Sequence, residues 1–402
     1  MGDKMQKRWL CLMIFWLINF CLGTYYAWGV FVNFLLERYV FLGSASIAPS
    51  SLTYIYSTAA TVCPITMIFA GYLTDRIGPR IVLLLGGLLV AFGYYLMSVS
   101  TNPATLFWGF GISFAIGCGC GVISTISTAV KLFPDRKGFA GGSVAAFYGV
   151  GSICVPLLTS WMGNSFGIVL TMQIYGTICL FILLGGAVLV NVGTNSEKAA
   201  QKDATGLNWR QMLKTQRFWV MFTVFTAGSI SAQLMFSQTV TLAQQQIGLS
   251  ISAAVLSISV LGFTNTIARF FAGALSDKIG RVNTILSALL CSTIGLFLLS
   301  MATRGDQVLF YMGLGFIGLC YGSCVGVFPG FTTEQFGVKN ASLNYGIMTL
   351  AFAAAGIIGP NIVQFTVIDS NFKVAYYTAT LFSLVGVFAA YRCRRFECRT
   401  AK

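Results

Sequence analysis

Twelve apolar stretches, each about as long as a bilayer is thick, dominate this 402-residue chain. They cover residues 9–36, 52–72, 81–99, 106–132, 138–161 and 168–190, then 218–242, 253–275, 283–302, 308–331, 343–365 and 372–390. A helix needs about 20 apolar residues to cross a ~30 Å hydrocarbon layer. Strands of a membrane barrel would be half as long, and an open strand in lipid leaves backbone groups without partners. The expected fold class is therefore all-α membrane protein, with twelve transmembrane helices. The first stretch is too long for a signal-peptide core and is read as a retained helix. Composition agrees: 56% of residues are hydrophobic and 9% charged, where a soluble domain carries about 25% charged.

Charge position orients the chain. Basic residues exceed acidic ones, 25 to 11, and histidine is absent. The odd-to-even connections hold Arg38, Arg304 and Lys373 against Glu37, Asp306 and Asp369. Arg269 falls inside the eighth stretch. The other side carries 21 basic and 8 acidic residues, a net +13. The positive-inside rule then places both termini in the cytoplasm, which requires an even number of spans. The surplus charge is topological, so no nucleic-acid partner is expected. The one substantial hydrophilic segment, 193–217, divides an N-terminal six-helix bundle (1–192) from a C-terminal one (218–391). A cytoplasmic tail (392–402) follows, and 207–214 is expected to form a short surface helix.

The two halves repeat. Gly71-Tyr-Leu-Thr-Asp75-Arg76-Ile-Gly78-Pro79-Arg80 follows helix 2, and Gly273-Ala-Leu-Ser-Asp277-Lys278-Ile-Gly280-Arg281 follows helix 8. Phe133-Pro-Asp-Arg-Lys-Gly138 and Phe336-Gly-Val-Lys-Asn-Ala341 follow helices 4 and 10, and Pro156 and Pro360 stand late in helices 5 and 11. All three pairs share one period of about 200 residues, the mark of two parallel copies of a six-helix unit. In each motif the aspartate can cap or charge-pair at a helix end while the basic residues hold neighbouring ends.

Several chemistries are excluded. Without histidine there are no imidazole metal sites, His-based triads or His proton relays. Ten of the twelve cysteines lie in apolar runs and none forms a CxxC pair, so they read as packing residues. No cofactor, metal or catalytic group is expected, and the protein is read as no enzyme. Gly117-Cys-Gly-Cys-Gly121 sits inside an apolar helix and reads as a close-contact surface, not a phosphate loop.

Arg269 is the sharpest feature. It lies four residues before Gly273, which at ~1.5 Å per residue sets it several ångströms above the cytoplasmic boundary, toward the midplane. A guanidinium there costs roughly 2.5–3.5 kcal/mol on insertion scales and keeps its proton. No Asp or Glu lies within a membrane core, Glu334 being at the end of helix 10. Arg269 thus reads as a carboxylate receptor. Asn265 stands one turn before it, and Asn19, Gly23 and Tyr26 share one face of helix 1.

The duplicated GxxxDRxGxR pattern in a twelve-span chain resembles the major facilitator superfamily. The resemblance implies the superfamily's fold and an inward gate latched by Gly71, Asp75, Arg76, Arg80, Gly273, Asp277, Lys278 and Arg281. Gly23-Thr-Tyr25-Tyr26-Ala-Trp28, Phe133–Gly138, Thr215-Gln-Arg-Phe-Trp219 and Asn344-Tyr345-Gly346 further resemble the oxalate/formate antiporter branch, related to the monocarboxylate transporters. In that branch an arginine of helix 8 binds the substrate carboxylate, and Arg269 occupies its position. Tyr148 matches a family tyrosine, Tyr321 replaces an aromatic of helix 10, and Phe352 stands where the oxalate exchanger has a second cation. The animal monocarboxylate transporters carry an aspartate where Asn265 stands. Ser229 and Gln233 of helix 7 are further candidates.

The expected function is secondary active transport of small monocarboxylates such as lactate, pyruvate or formate, with Arg269, Asn265, Tyr26, Tyr148, Tyr321 and Phe352 binding substrate. Proton symport and anion exchange both stay open, as do an exporter of other small organic solutes and a nutrient sensor without flux. Expected partners are a small organic anion, a proton if coupling is by symport, and the lipid bilayer. The chain is expected to be a monomer in a bacterial inner membrane.

Overall fold

The computed structural model describes residues 2–41, 49–202, 206–366 and 372–400. Asp369 and parts of the predicted linker and tail (203–205 and 401–402) lie outside them. Among the described residues, twelve helices are long and apolar enough to cross a membrane. We number them α1 (Gln6–Tyr25), α2 (Tyr54–Ile77), α3 (Pro79–Ser98), α4 (Pro103–Leu132), α5 (Lys137–Phe166) and α6 (Ile168–Val190). The second set is α7 (Gln216–Ile247), α8 (Leu256–Ile279), α9 (Arg281–Met301), α10 (Gln307–Phe336), α11 (Ala341–Thr366) and α12 (Lys373–Arg394). They correspond one for one with the twelve predicted stretches. The protein is an all-α integral membrane protein.

Local chemistry sets the helix ends. Asn102 accepts from the Thr105 amide, with Pro103 in the first helical position of α4. Thr215 caps α7 through the Phe218 amide. Asn208 and Gln211 form a reciprocal capping box on the short helix Trp209–Lys214. The glycine of each duplicated motif breaks the chain between two helices: Gly78 and Gly280 both have φ 91°, a region that disfavours any side chain. Pro64, Pro156, Pro329 and Pro360 all sit within helices, as the packed interior of membrane bundles tolerates.

The helices form two units. Unit 1 comprises Met1–Pro134, Phe147–Leu207 and Thr333–Ile347, and unit 2 comprises Asp135–Ala146, Asn208–Thr332 and Met348–Lys402. Each therefore takes in the opening turns of a helix from the opposite half of the sequence: α11 in unit 1, α5 in unit 2.

Small residues bring backbones together within each unit, since lipid gives helices no hydrophobic reason to associate. The repeat is visible here too. In unit 1 a Cβ on Gly93 of α3 would lie 2.7 Å from the Gly109 carbonyl oxygen of α4. In unit 2 a Cβ on Gly295 of α9 would lie 2.7 Å from that of Gly313 of α10. The Gly117–Gly121 run of α4 is a contact surface, as expected. Gly117 meets Val90 of α3, Gly119 meets the Cys63 carbonyl of α2, and Gly121 meets Leu22 of α1. Outward apolar side chains such as Phe92 of α3, Phe181 of α6, Phe297 of α9 and Phe388 of α12 are exposed, as a lipid-facing surface requires.

The glycine packing predicts opposite outcomes for two substitutions. A Cβ on Gly326 would run into the Arg269 carbonyl, whereas one on Gly185 would meet nothing within 4 Å. Gly326→Val should cost about 2–3 kcal/mol through overpacking. Gly185→Ala should be neutral or stabilising by up to ~1 kcal/mol. Thermal melting of both variants in detergent checks this.

Candidate functional site

Arg269 lies on α8 in unit 2 and is 4% exposed. Its Nε donates to Asn265 Oδ1 one turn earlier, at 3.1 Å, and its Nη1 donates to the Ala145 carbonyl of α5, also at 3.1 Å. The guanidinium carbon stands 5.8 Å from the centre of the Tyr321 ring, within cation–π reach. All these partners are neutral, and among the described residues no carboxylate pairs with Arg269. A buried guanidinium is thus held here by neutral partners, where an anion would bind it far better.

An aromatic wall adjoins it. Tyr321 of α10 stacks on Phe352 of α11, with centroids 5.9 Å apart, and meets Phe236 of α7 edge-on at 6.0 Å. Four predicted residues, Arg269, Asn265, Tyr321 and Phe352, are thereby brought together in unit 2. Sequence reading missed Phe236, one of 34 phenylalanines with nothing to mark it. It also missed the Ala145 carbonyl, a backbone atom with no sequence signal.

In unit 1, Tyr148 of α5 is half-buried, its hydroxyl 3.8 Å from Cys118 Sγ of α4. Tyr26 falls in a tight helical turn, Gly23–Ala27, and its side chain lies outside the described residues. Asn19 ties α1 to α4, donating to the Phe15 carbonyl and to Thr125 Oγ1. In unit 2, Ser229 is fully buried and bonds the Phe225 carbonyl. The half-buried Gln233 lies against Gly356 of α11.

The duplicated motif builds the same device twice. In unit 1, Asp75 accepts from the Ser342 and Leu343 amides at the start of α11 (3.2 and 2.8 Å) and pairs with Lys131 at 2.6 Å. Lys131 also donates to Ser342 Oγ. In unit 2, Asp277 accepts from the Gly138 and Phe139 amides at the start of α5 (2.9 and 2.7 Å) and pairs with Arg281 at 2.7 Å. Arg281 also donates to Ser276. Each carboxylate meets unpaired N–H groups at the positive end of a helix dipole. Gly71 and Gly273 make room one turn away, the first against the Ser342 carbonyl and the second against Gly138 and Gly142.

The cations are less symmetric than the motif. Arg76, Arg80 and Lys278 are exposed, and Arg76 lies over the Tyr72 ring. Arg281 is buried at the Asp277 pair. Lys131, which the sequence reading passed over at the end of an apolar run, supplies the cation for Asp75. The repeat sets Glu334 at the corresponding place in the second half, which is why the second carboxylate takes its partner from α9 instead.

Removing a cation should therefore matter only where it is paired. Lys131→Ala leaves Asp75 buried and uncompensated and should cost about 3 kcal/mol. Arg80→Ala should stay within ~0.5 kcal/mol of wild type. Detergent melting of the two variants side by side measures the difference.

Residues 8–360 match the family model of the Major Facilitator Superfamily. The chain is 27% identical over 398 residues to the oxalate:formate antiporter of Oxalobacter formigenes, covering 97% of this chain and 91% of that protein. It is 26% identical over 358 residues to the uncharacterised MFS-type transporter YhjX of Escherichia coli K12, covering 89% and 87%. Among solved structures, the transporter FucP in its outward conformation superposes with TM-score 0.71 at 15% identity, covering 95% of this chain and 99% of that one. The proton:xylose symporter XylE superposes with TM-score 0.69 at 16% identity, covering 98% and 96%. These two share the fold. Family model, relatives and architecture agree over nearly the whole length, and the chain belongs to the Major Facilitator Superfamily.

Proposed function

We propose that the protein is a secondary active transporter of small monocarboxylates, working by alternating access as a proton symporter or anion exchanger. The observation that carries this reading is the buried Arg269 guanidinium, surrounded by neutral acceptors and an aromatic face and without an acidic partner among the described residues. A carboxylate supplies the missing charge in bidentate form. One cation suits one carboxylate, and Phe352, where the resembling exchanger has a second cation, offers an apolar surface instead. Tyr321 would enclose the small organic part of the substrate, with Asn265 fixing the arginine. Tyr26 and Tyr148 are proposed as the contribution of the first half. A relative named for oxalate and formate supports a small organic anion as the cargo class.

Asp75 and Asp277 would act as the gate, releasing the α11 and α5 amides as the transporter changes state, with Gly71 and Gly273 permitting the close approach. Arg281 would hold its aspartate in place, while Arg76, Arg80 and Lys278 are assigned to the charged cytoplasmic border. In this reading the bundles 1–192 and 218–391 are joined by a cytoplasmic linker, 193–217. Both termini face the cytoplasm of a bacterial inner membrane.

Uptake of labelled lactate or pyruvate into proteoliposomes tests the proposal. Arg269→Ala should lower uptake roughly 100-fold, the loss of one strong charge-assisted contact. Uptake equal to wild type would remove Arg269 from the site. Stimulation by an acid-outside gradient would identify symport, and stimulation by preloaded anion would identify exchange. Phe352→Lys should increase competition by oxalate, and unchanged competition would count against its assigned role.

A further inference from the structure

Asn265, Arg269, Gly273 and Asp277 recur every four residues and form one ridge of α8. The first turns of α5 lie along that ridge, held at three levels. Asp277 takes the Gly138 and Phe139 amides. Above it the backbones touch: a Cβ on Gly142 would lie 2.5 Å from the Arg269 carbonyl and 2.9 Å from Gly273 Cα. Highest on the ridge, Arg269 Nη1 bonds the Ala145 carbonyl. At ~1.5 Å per residue the arginine and the capping aspartate are roughly 12 Å apart on one rigid rod.

The edges of the guanidinium are used unequally. A carboxylate can approach side-on, through Nε and Nη2, or end-on, through Nη1 and Nη2. Asn265 occupies Nε, which closes the side-on edge. Among the described residues the end-on edge is contested only by Ala145, whose carbonyl is neutral and already serves the α5 helix. A charge-assisted bond is about twice as strong as a neutral one, so an arriving carboxylate takes Nη1 and Ala145 lets go.

Resting on the carboxylate reading above, we propose that the Ala145 carbonyl is a resident stand-in for the substrate carboxylate. Asn265 is a positioning residue that obliges substrate to displace it. Occupancy of Arg269 then removes the uppermost tie between α5 and α8 and loosens the turns that Asp277 caps. Binding and gate release are linked through a single ridge, and the link depends on which edge of one side chain is left open.

Hydrogen–deuterium exchange of the purified protein, with and without saturating pyruvate, tests this beside a thermal-shift measurement of binding. In wild type, pyruvate should raise the melting temperature and increase exchange of peptides covering 137–148 roughly tenfold, the effect of one lost hydrogen bond to a charged group. In Asn265→Ala, which frees the side-on edge, pyruvate should still raise the melting temperature while exchange in 137–148 stays at its ligand-free level. Wild-type binding without increased exchange, or an equal increase in Asn265→Ala, overturns the proposal and leaves the carboxylate reading intact. No melting shift in wild type overturns the carboxylate reading and the proposal with it.

Discussion

A guanidinium as buried as that of Arg269 must be satisfied by whatever surrounds it. In unit 2 that surrounding is an amide oxygen, a backbone carbonyl and the face of a phenol ring. Each relieves part of the desolvation cost and none cancels the charge. The backbones must also close in around the side chain, and they do so at glycine: Gly142 of α5 and Gly326 of α10 both meet the Arg269 carbonyl, and Gly322 meets that of Asn265. The arginine is rigidly mounted but electrically incomplete, which suits a residue whose partner arrives and leaves.

The second recurring theme is a carboxylate at a helix start. Asp75 and Asp277 each satisfy two amides that have no acceptor within their own helix, and each is balanced by one cation. Sequence duplication supplied the carboxylate twice but the cation by two routes, Lys131 from α4 and Arg281 from α9. Where Arg269 stands in the second copy, the first has Met67, whose carbonyl meets Gly346 as the Arg269 carbonyl meets Gly142. The backbone packing was retained while the charge was confined to one half.

The fold was legible from the chain because lipid leaves so few options. Runs of about 20 apolar residues force helices, and one period joining three motif pairs gives the copy number. Arg269 and Asn265 were legible for the same reason, since a polar residue in such a run stands out against its background. Lys131 was not, because a basic residue at the end of an apolar run reads as a border residue until its distance to Asp75 is known. Phe236 carried no contrast with its neighbours. Ala145 acts through its backbone carbonyl, which every residue possesses. Of the motif's basic residues Arg76, Arg80, Lys278 and Arg281, Arg281 is the one that joins an aspartate cap among the described residues.

In the proposed function charge, and not shape alone, selects the ligand at Arg269. Titration of the purified wild-type protein with lactate and with lactamide, which keeps the shape but lacks the negative charge, measures this directly. Lactate should bind at least roughly 100-fold more tightly, the worth of one good charged contact. Equal affinity for the two would contradict it.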